Sequence, residues 1–140
     1  MNIKDLGPEE IAIIIFGGLL ILMVLALVVR KLLKRQKRDY FLKSWKSLQS
    51  RCADKSQWAT AIFEADDLLD KALKKRKMKG KTMGERLVAA QNTFTDNDSA
   101  WYGHKLRMKL EEKPGTTLKK HDVKKALLGL GQALRDLRVM

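Results

Sequence analysis

The stretch that decides the architecture is IAIIIFGGLLILMVLALVV, residues 11–29, which holds 19 residues without a charge. As an α-helix it would reach about 28 Å, roughly the thickness of a bilayer's hydrocarbon core. A chain of 140 residues has too little other apolar mass to enclose a helix that is apolar on every side. The stretch therefore predicts a transmembrane helix over residues 10–30.

The residues before this stretch argue against a cleavable signal peptide. A signal peptide begins with net positive charge, whereas here Asp5, Glu9 and Glu10 outweigh Lys4. The apolar run is also long for a signal peptide, and no small-x-small cleavage site follows it. We therefore expect an uncleaved, single-pass anchor in the cell membrane.

The charges after the apolar run predict its orientation. An excess of Lys and Arg marks the cytoplasmic side, so the N-terminus is expected outside and the body in the cytoplasm. The single cysteine, Cys52, fits a reducing compartment. The same basic residues could contact anionic headgroups of the inner leaflet or act only as topology signals. They are Arg30, Lys31, Lys34, Arg35, Lys37 and Arg38.

Four segments are predicted along the chain. They are a short extracytoplasmic tail (1–9), the transmembrane helix (10–30), a basic juxtamembrane helical extension (31–53) and a cytoplasmic body (54–140). Residues 39–140 hold 22 Lys and Arg against 13 Asp and Glu, a net of +9, so the body is basic in its own right. This balance favours acidic partners, either anionic lipid or nucleic acid.

Capping residues and helical periodicity predict an all-α body. Asp54 is expected to cap a helix that runs to about residue 79, with Gly80 as its C-cap. Thr82, with a glutamate three residues on, forms a capping box for a helix over residues 83–91.

Two further helices complete the predicted body. Thr95 and Asp98 repeat the capping pattern before a helix that ends near Lys113, and Thr117 is expected to cap a helix over residues 118–138. No stretch has the pattern of a strand. The predicted fold is a membrane helix followed by a bundle of about four helices.

The segment WYGHKLRMKLEE, residues 101–112, is apolar on two sides of a helical wheel, which places it centrally in the bundle. Arg107 would then be partly buried and would need an acidic partner. Three carboxylates of the preceding helix are candidates, and the predicted set of buried polar residues is Arg107, His104, Asp66 and Asp70. The third candidate partner is Glu64.

Three motifs carry a family resemblance: W…AI.EAD..LD at 58–70, TMGERL at 82–87 and W..HK.R at 101–107. On these motifs the chain resembles small single-pass bacterial membrane proteins whose cytoplasmic part is similar to the HEPN superfamily of helical bundles. Many HEPN proteins are dimeric, metal-independent ribonucleases with an Arg, a polar residue and a His about five positions after the Arg. Here the Arg position is Arg107, but Met108 and Glu112 occupy the other two. The resemblance implies the fold without its general acid–base residue.

The remaining features are a basic run and scattered potential ligands. The run could contact phosphate of lipid or RNA, or could be a solvated helix end; no aromatic residue is interleaved for base stacking. His104, His121 and Cys52 share no ligand spacing, so no metal or cofactor is predicted. The basic residues of the run are Lys74, Lys75, Arg76, Lys77, Lys79 and Lys81.

These patterns favour a non-enzymatic, membrane-anchored module for protein interaction or homodimerisation at the inner membrane surface. Two alternatives stay open. One is a membrane-localised nucleic-acid-binding protein that uses the basic run with Lys119, Lys120, Lys124 and Lys125. The other is a degenerate HEPN-type ribonuclease with Arg107 as its catalytic residue. No small-molecule substrate is evident from the sequence.

Overall fold

The structure, a computed structural model, describes residues 7–140, so residues 1–6 of the predicted extracytoplasmic tail lie outside the described part. The predicted all-α class is confirmed, because residues 7–140 form helices and contain no strand. A short 3₁₀-helix, Lys55–Gln57, precedes the second α-helix. The five α-helices are α1 (Pro8–Arg51), α2 (Trp58–Lys75), α3 (Met83–Ala90), α4 (Asn97–Glu112) and α5 (Lys120–Asp136).

The chain divides into two compact units, and the first extends to Lys37. Its apolar side chains between residues 11 and 29 are exposed. The mean hydropathy of the most apolar 18-residue window in α1 is 3.2, and no residue of that window is buried. Helix α1 is therefore long and apolar enough to cross a membrane.

The second unit runs from Arg38 to Met140, so the body begins earlier than the predicted boundary at residue 54. The reason is the apolar face of the last turns of α1. Phe41, Trp45 and Leu48 recur at helical spacing and are buried in the core. This part of α1 is thus a component of the body rather than an extension that leads to it.

Helices α2 and α5 supply most of the core, and α4 is less central than predicted. Met108 on α4 is 44% exposed, while Trp101 and Tyr102 are half-buried. Two of the four buried residues of α4, Ala100 and Gly103, are small. A Cβ at Gly103 would clash with the side chain of Leu130, so α4 lies directly against α5. The buried residues of α2 and α5 include Ile62, Leu69, Leu73, Val123, Leu130 and Leu134.

Helix α2 ends before the predicted C-cap at Gly80. Lys77 adopts a left-handed backbone with φ of 56°, and the Met78 N–H donates to the Leu73 carbonyl at 3.0 Å. This is the Schellman arrangement, which closes the last turn and satisfies an otherwise free carbonyl. A lysine therefore occupies the position for which we expected a glycine.

Two predicted N-terminal caps are present. The Thr82 hydroxyl accepts a hydrogen bond from the Glu85 N–H at 3.2 Å, which confirms the cap of α3. Asp54 also caps a helix, but it is the short 3₁₀-helix, since its carboxylate accepts from the Ser56 N–H. The regular α2 therefore begins at Trp58.

The two remaining caps differ from prediction. Asp96, not Thr95, caps α4, because the Thr95 N–H and hydroxyl both donate to the Asp136 carboxylate of α5. Lys119, not Thr117, is the residue before α5, and it makes no side-chain capping bond. The hydrogen bonds of Thr95 to a distant residue thus replace the local capping bond that its sequence pattern predicts.

Candidate binding groove and buried charge network

Asp66 on α2 is fully buried and is the centre of a polar cluster between α2 and α4. Nδ1 of the buried His104 lies 3.1 and 3.2 Å from its two carboxylate oxygens. A carboxylate only accepts, so Nδ1 carries the hydrogen of this contact. Nη1 of Arg107 lies 3.4 Å from the same carboxylate. The structure thus brings together three of the four predicted buried polar residues.

Arg107 is surrounded by negative charge. Besides Asp66, its Nη2 lies 3.0 Å from a carboxylate oxygen of Glu111 and 3.4 Å from one of Asp67. Its guanidinium carbon is 5.6 Å from the centre of the Phe63 ring, and 24% of its side chain is exposed. Three carboxylates so close to one guanidinium oppose the approach of an RNA phosphate.

Asp70, the fourth predicted residue, belongs to a different pair. Its carboxylate lies 2.6 Å from Nη2 of the buried Arg86 on α3 and 2.7 Å from Nζ of Lys74. Burial alone would raise the pKa of Asp70, but the hydrogen bonds from Lys74 and Arg86 hold it below its ordinary value. Glu64, the other predicted partner of Arg107, instead forms a bidentate pair with Arg51.

The basic run at the end of α2 is partly used within the body. Lys74 pairs with Asp70, and Nζ of Lys75 lies 5.1 Å from the centre of the Phe41 ring. Arg76 donates to the carbonyls of residues 137 and 138, at 2.6 and 3.0 Å. Three of the six basic residues of the run therefore have structural partners. The run's other three cations, Lys77, Lys79 and Lys81, are exposed.

The predicted lipid-contacting residues all lie on α1. Their side chains are exposed along the helix after the apolar run. No carboxylate within the described chain forms an ion pair with them. They are Arg30, Lys31, Lys34, Arg35, Lys37 and Arg38.

An apolar groove of about 300 Å³, which the sequence did not indicate, opens on the second unit between α1 and α5. Its floor has satisfied polar atoms: the Trp58 indole N–H donates to the Cys52 carbonyl at 2.9 Å, and the Cys52 thiol donates to the Leu48 carbonyl at 3.2 Å. Burial raises the pKa of that thiol, although Arg51 opposes the shift. Trp45, Gln49, Cys52, Trp58, Lys120, Val123, Lys124, Leu127, Leu128, Gly131 and Arg135 line the groove.

The groove combines an apolar surface with a cationic rim. Leu128 is 59% exposed on the wall that α5 forms. Lys120 and Lys124 lie at one end of this wall and have no carboxylate partner within residues 7–140, while Arg135 at the other end donates to Gln132. No Asp or Glu of the described chain lines the groove.

This surface of α5 was not predicted from the sequence. Leu128, an apolar residue next to Leu127, was the available signal. The partners of the groove, Trp45 and Trp58, lie 70 or more positions earlier in the chain. Only the fold brings them beside α5.

Comparison of the chain with protein-family models, with curated proteins and with solved structures finds no match.

Proposed function

We propose that this protein is a non-enzymatic, membrane-anchored module that binds a protein partner, or a second copy of itself, at the inner surface of the cell membrane. The groove of the second unit is the observation that carries the proposal. It presents the exposed Leu128 and the half-buried Trp58, and apolar surface of this kind rimmed by polar residues is typical of interaction sites.

The membrane part of the proposal rests on α1. Its 19-residue uncharged run has the length of a bilayer's hydrocarbon core, and its side chains are exposed. The six basic residues that follow the run support an inner, cytoplasmic location for the body.

The non-enzymatic part rests on the state of the buried ionisable groups. His104 and Arg107 are both held by Asp66, and Arg86 is held by Asp70. Ionisable groups that pair with one another across helices hold those helices together. A degenerate ribonuclease with Arg107 as its catalytic residue is the enzymatic alternative. Its test is RNA decay with wild type against Arg107→Ala, for which we expect equal, background rates.

Anchoring and orientation are tested with cysteine variants of the full chain. In a Cys52→Ser background, Gly7→Cys and Lys109→Cys each place one thiol on an exposed position. We expect a membrane-impermeant maleimide to label position 7 in intact cells and position 109 only after permeabilisation. The protein should also stay in the membrane pellet through an alkaline carbonate wash. Labelling in the reverse order, or release by carbonate, contradicts the proposal.

Partner binding is tested by chemical crosslinking in intact membranes. We expect adducts of the full-length protein that disappear in Leu128→Glu, which places a carboxylate on the groove wall, and persist in Val88→Glu. Val88 is a matched control because it is 54% exposed on α3 and does not line the groove. Adducts of equal yield in both variants, or no adduct in wild type, contradict the proposed role.

Nucleic-acid binding is a second candidate, and one observation favours it. Lys119, Lys120 and Lys124 are exposed at the start of α5 and form no ion pair with any described carboxylate. Binding through them would weaken steeply as salt rises. The test is the mobility shift of RNA and DNA by the purified full-length protein at increasing salt. No shift at low salt removes this candidate.

A further inference from the structure

The groove is open to solvent, and the wall that α5 forms is long enough to contact several turns of a helix. Its α5 wall consists of seven residues between Lys120 and Arg135, at the spacing of one helix face over about four turns. This wall is about 22 Å long. We propose that the groove binds an amphipathic helix of a partner protein, with acidic residues at both ends of its apolar face. This inference rests on the proposed function and specifies the chemical character of the protein partner.

The floor of the groove favours a helix over an extended peptide. The Trp58 indole and the Cys52 thiol donate to carbonyls of the body itself, so neither donor is left for a ligand. An extended peptide needs hydrogen bonds to its backbone, whereas a helix makes its own and needs only apolar contact along one face. Leu128 supplies that contact together with the half-buried Leu127 and Trp58.

The rim favours an acidic partner over a second copy of this chain. Lys120 and Lys124 at one end and Arg135 at the other have no carboxylate among the residues that line the groove. In a two-fold dimer through this face, each copy would present the same cations to the other. An acidic helix instead gains attraction at both ends, which speeds association and fixes its position in the groove.

These positions define a sequence signature for the partner. Its apolar residues recur at i, i+3 or i+4, and i+7, to match the open stripe along α5. Asp or Glu flanks them roughly three turns apart, because Lys124 and Arg135 are 11 positions apart on α5, or about 16 Å.

The test is site-specific photocrosslinking of the full chain in the membranes of its own host. The substitution Leu128→p-benzoylphenylalanine places the reactive group on the groove wall, and Val88→p-benzoylphenylalanine is the exposed control. Mass spectrometry of the digested adduct identifies the crosslinked segment. We expect position 128, and not position 88, to capture a segment with the acidic amphipathic signature.

Charge reversal tests the rim independently of the apolar contact. In the Leu128→p-benzoylphenylalanine chain, we expect Lys120→Glu with Lys124→Glu to lower the adduct yield at least tenfold. Lys109→Glu, an exposed lysine of α4 outside the groove, should leave the yield unchanged. Lysines in place of the partner's acidic residues should restore the yield with the doubly reversed chain. Unchanged thermal unfolding of each variant verifies that the body remains folded.

The other outcomes separate this inference from the proposed function. Capture of a phospholipid, of a segment without flanking acids, or of a second copy at position 128 overturns the acidic-helix assignment. Capture of a second copy still supports self-association and therefore leaves the proposed function in place. Absence of any adduct at position 128, together with no adduct in the chemical crosslinking described above, overturns both.

Discussion

Replacing Asp66 with alanine removes the carboxylate that His104 and Arg107 share. Removing one partner from a buried charged cluster costs about 3–5 kcal/mol, because the groups that remain lose their compensation. Arg107 is 24% exposed and keeps Glu111 and Asp67 as partners, so the lower end of this range applies. We expect Asp66→Ala to lower the free energy of unfolding by about 3 kcal/mol. In a unit of about 100 residues this lowers Tm by about 12 °C.

Asp67→Ala is the matched control. It removes the same charge from the adjacent residue, and Asp67 also lies 3.4 Å from a nitrogen of Arg107, but its side chain is 58% exposed. An exposed pair contributes less than about 1 kcal/mol, so we expect a decrease in Tm of no more than about 4 °C. The difference between the two variants isolates the effect of burial.

The assay is thermal unfolding of the full-length chain in neutral phospholipid nanodiscs, followed by tryptophan fluorescence. All three tryptophans lie after residue 38, so the signal reports on the second unit alone. Equal changes in Tm for the two variants, or a change below about 4 °C for Asp66→Ala, would refute the view that this carboxylate organises the contact of α2 with α4.

Two further outcomes follow from the packing and the charges. Gly129→Ala should lower the free energy of unfolding by about 1–3 kcal/mol, because the added Cβ would overlap the Ser99 carbonyl. Gly84→Ala is the control: its Cβ would make only ordinary contacts, so the change should be neutral or stabilising. Urea unfolding measures both effects. The lowered pKa of Asp70 means that its pairing stabilises the fold above the unfolded pKa of about 4 and is lost as pH falls through the folded pKa. Acid titration of unfolding should therefore show a smaller loss in Arg86→Leu than in wild type; equal losses would contradict this role of the pair.

The helices could be predicted from sequence because their signals are local, and the errors occurred where distant residues intervened. Thr82 caps α3 as its pattern indicates. Thr95 does not cap α4, because Asp136, 41 positions away, accepts both of its hydrogen bonds. The end of α2 shows the same effect: Lys77 takes a left-handed conformation next to Arg76, whose side chain is tied to carbonyls at the C-terminus.

Charge partners were harder to predict than helices. The sequence offered both Asp66 and Asp70 as partners of Arg107, and nothing local distinguished them. The structure assigns Asp66 to Arg107 on α4 and Asp70 to Arg86 on α3. The sequence contained a signal for Arg86, because it lies beside apolar residues in a short predicted helix. The structure shows that Arg86 is buried. A buried arginine needs a carboxylate partner, so Asp70 could have been assigned to Arg86 rather than to Arg107.

The glycines of α5 explain why the groove is present before any partner binds. A Cβ at Gly131 would lie 2.5 Å from Cζ2 of Trp45, so the indole packs on bare backbone and is held in one place. Two positions earlier, Gly129 allows α4 to approach through Ser99. With α5 fixed from two sides, Leu128 stays 59% exposed. A partner helix would therefore meet a wall that is already ordered, and its affinity would not be reduced by the cost of ordering that wall.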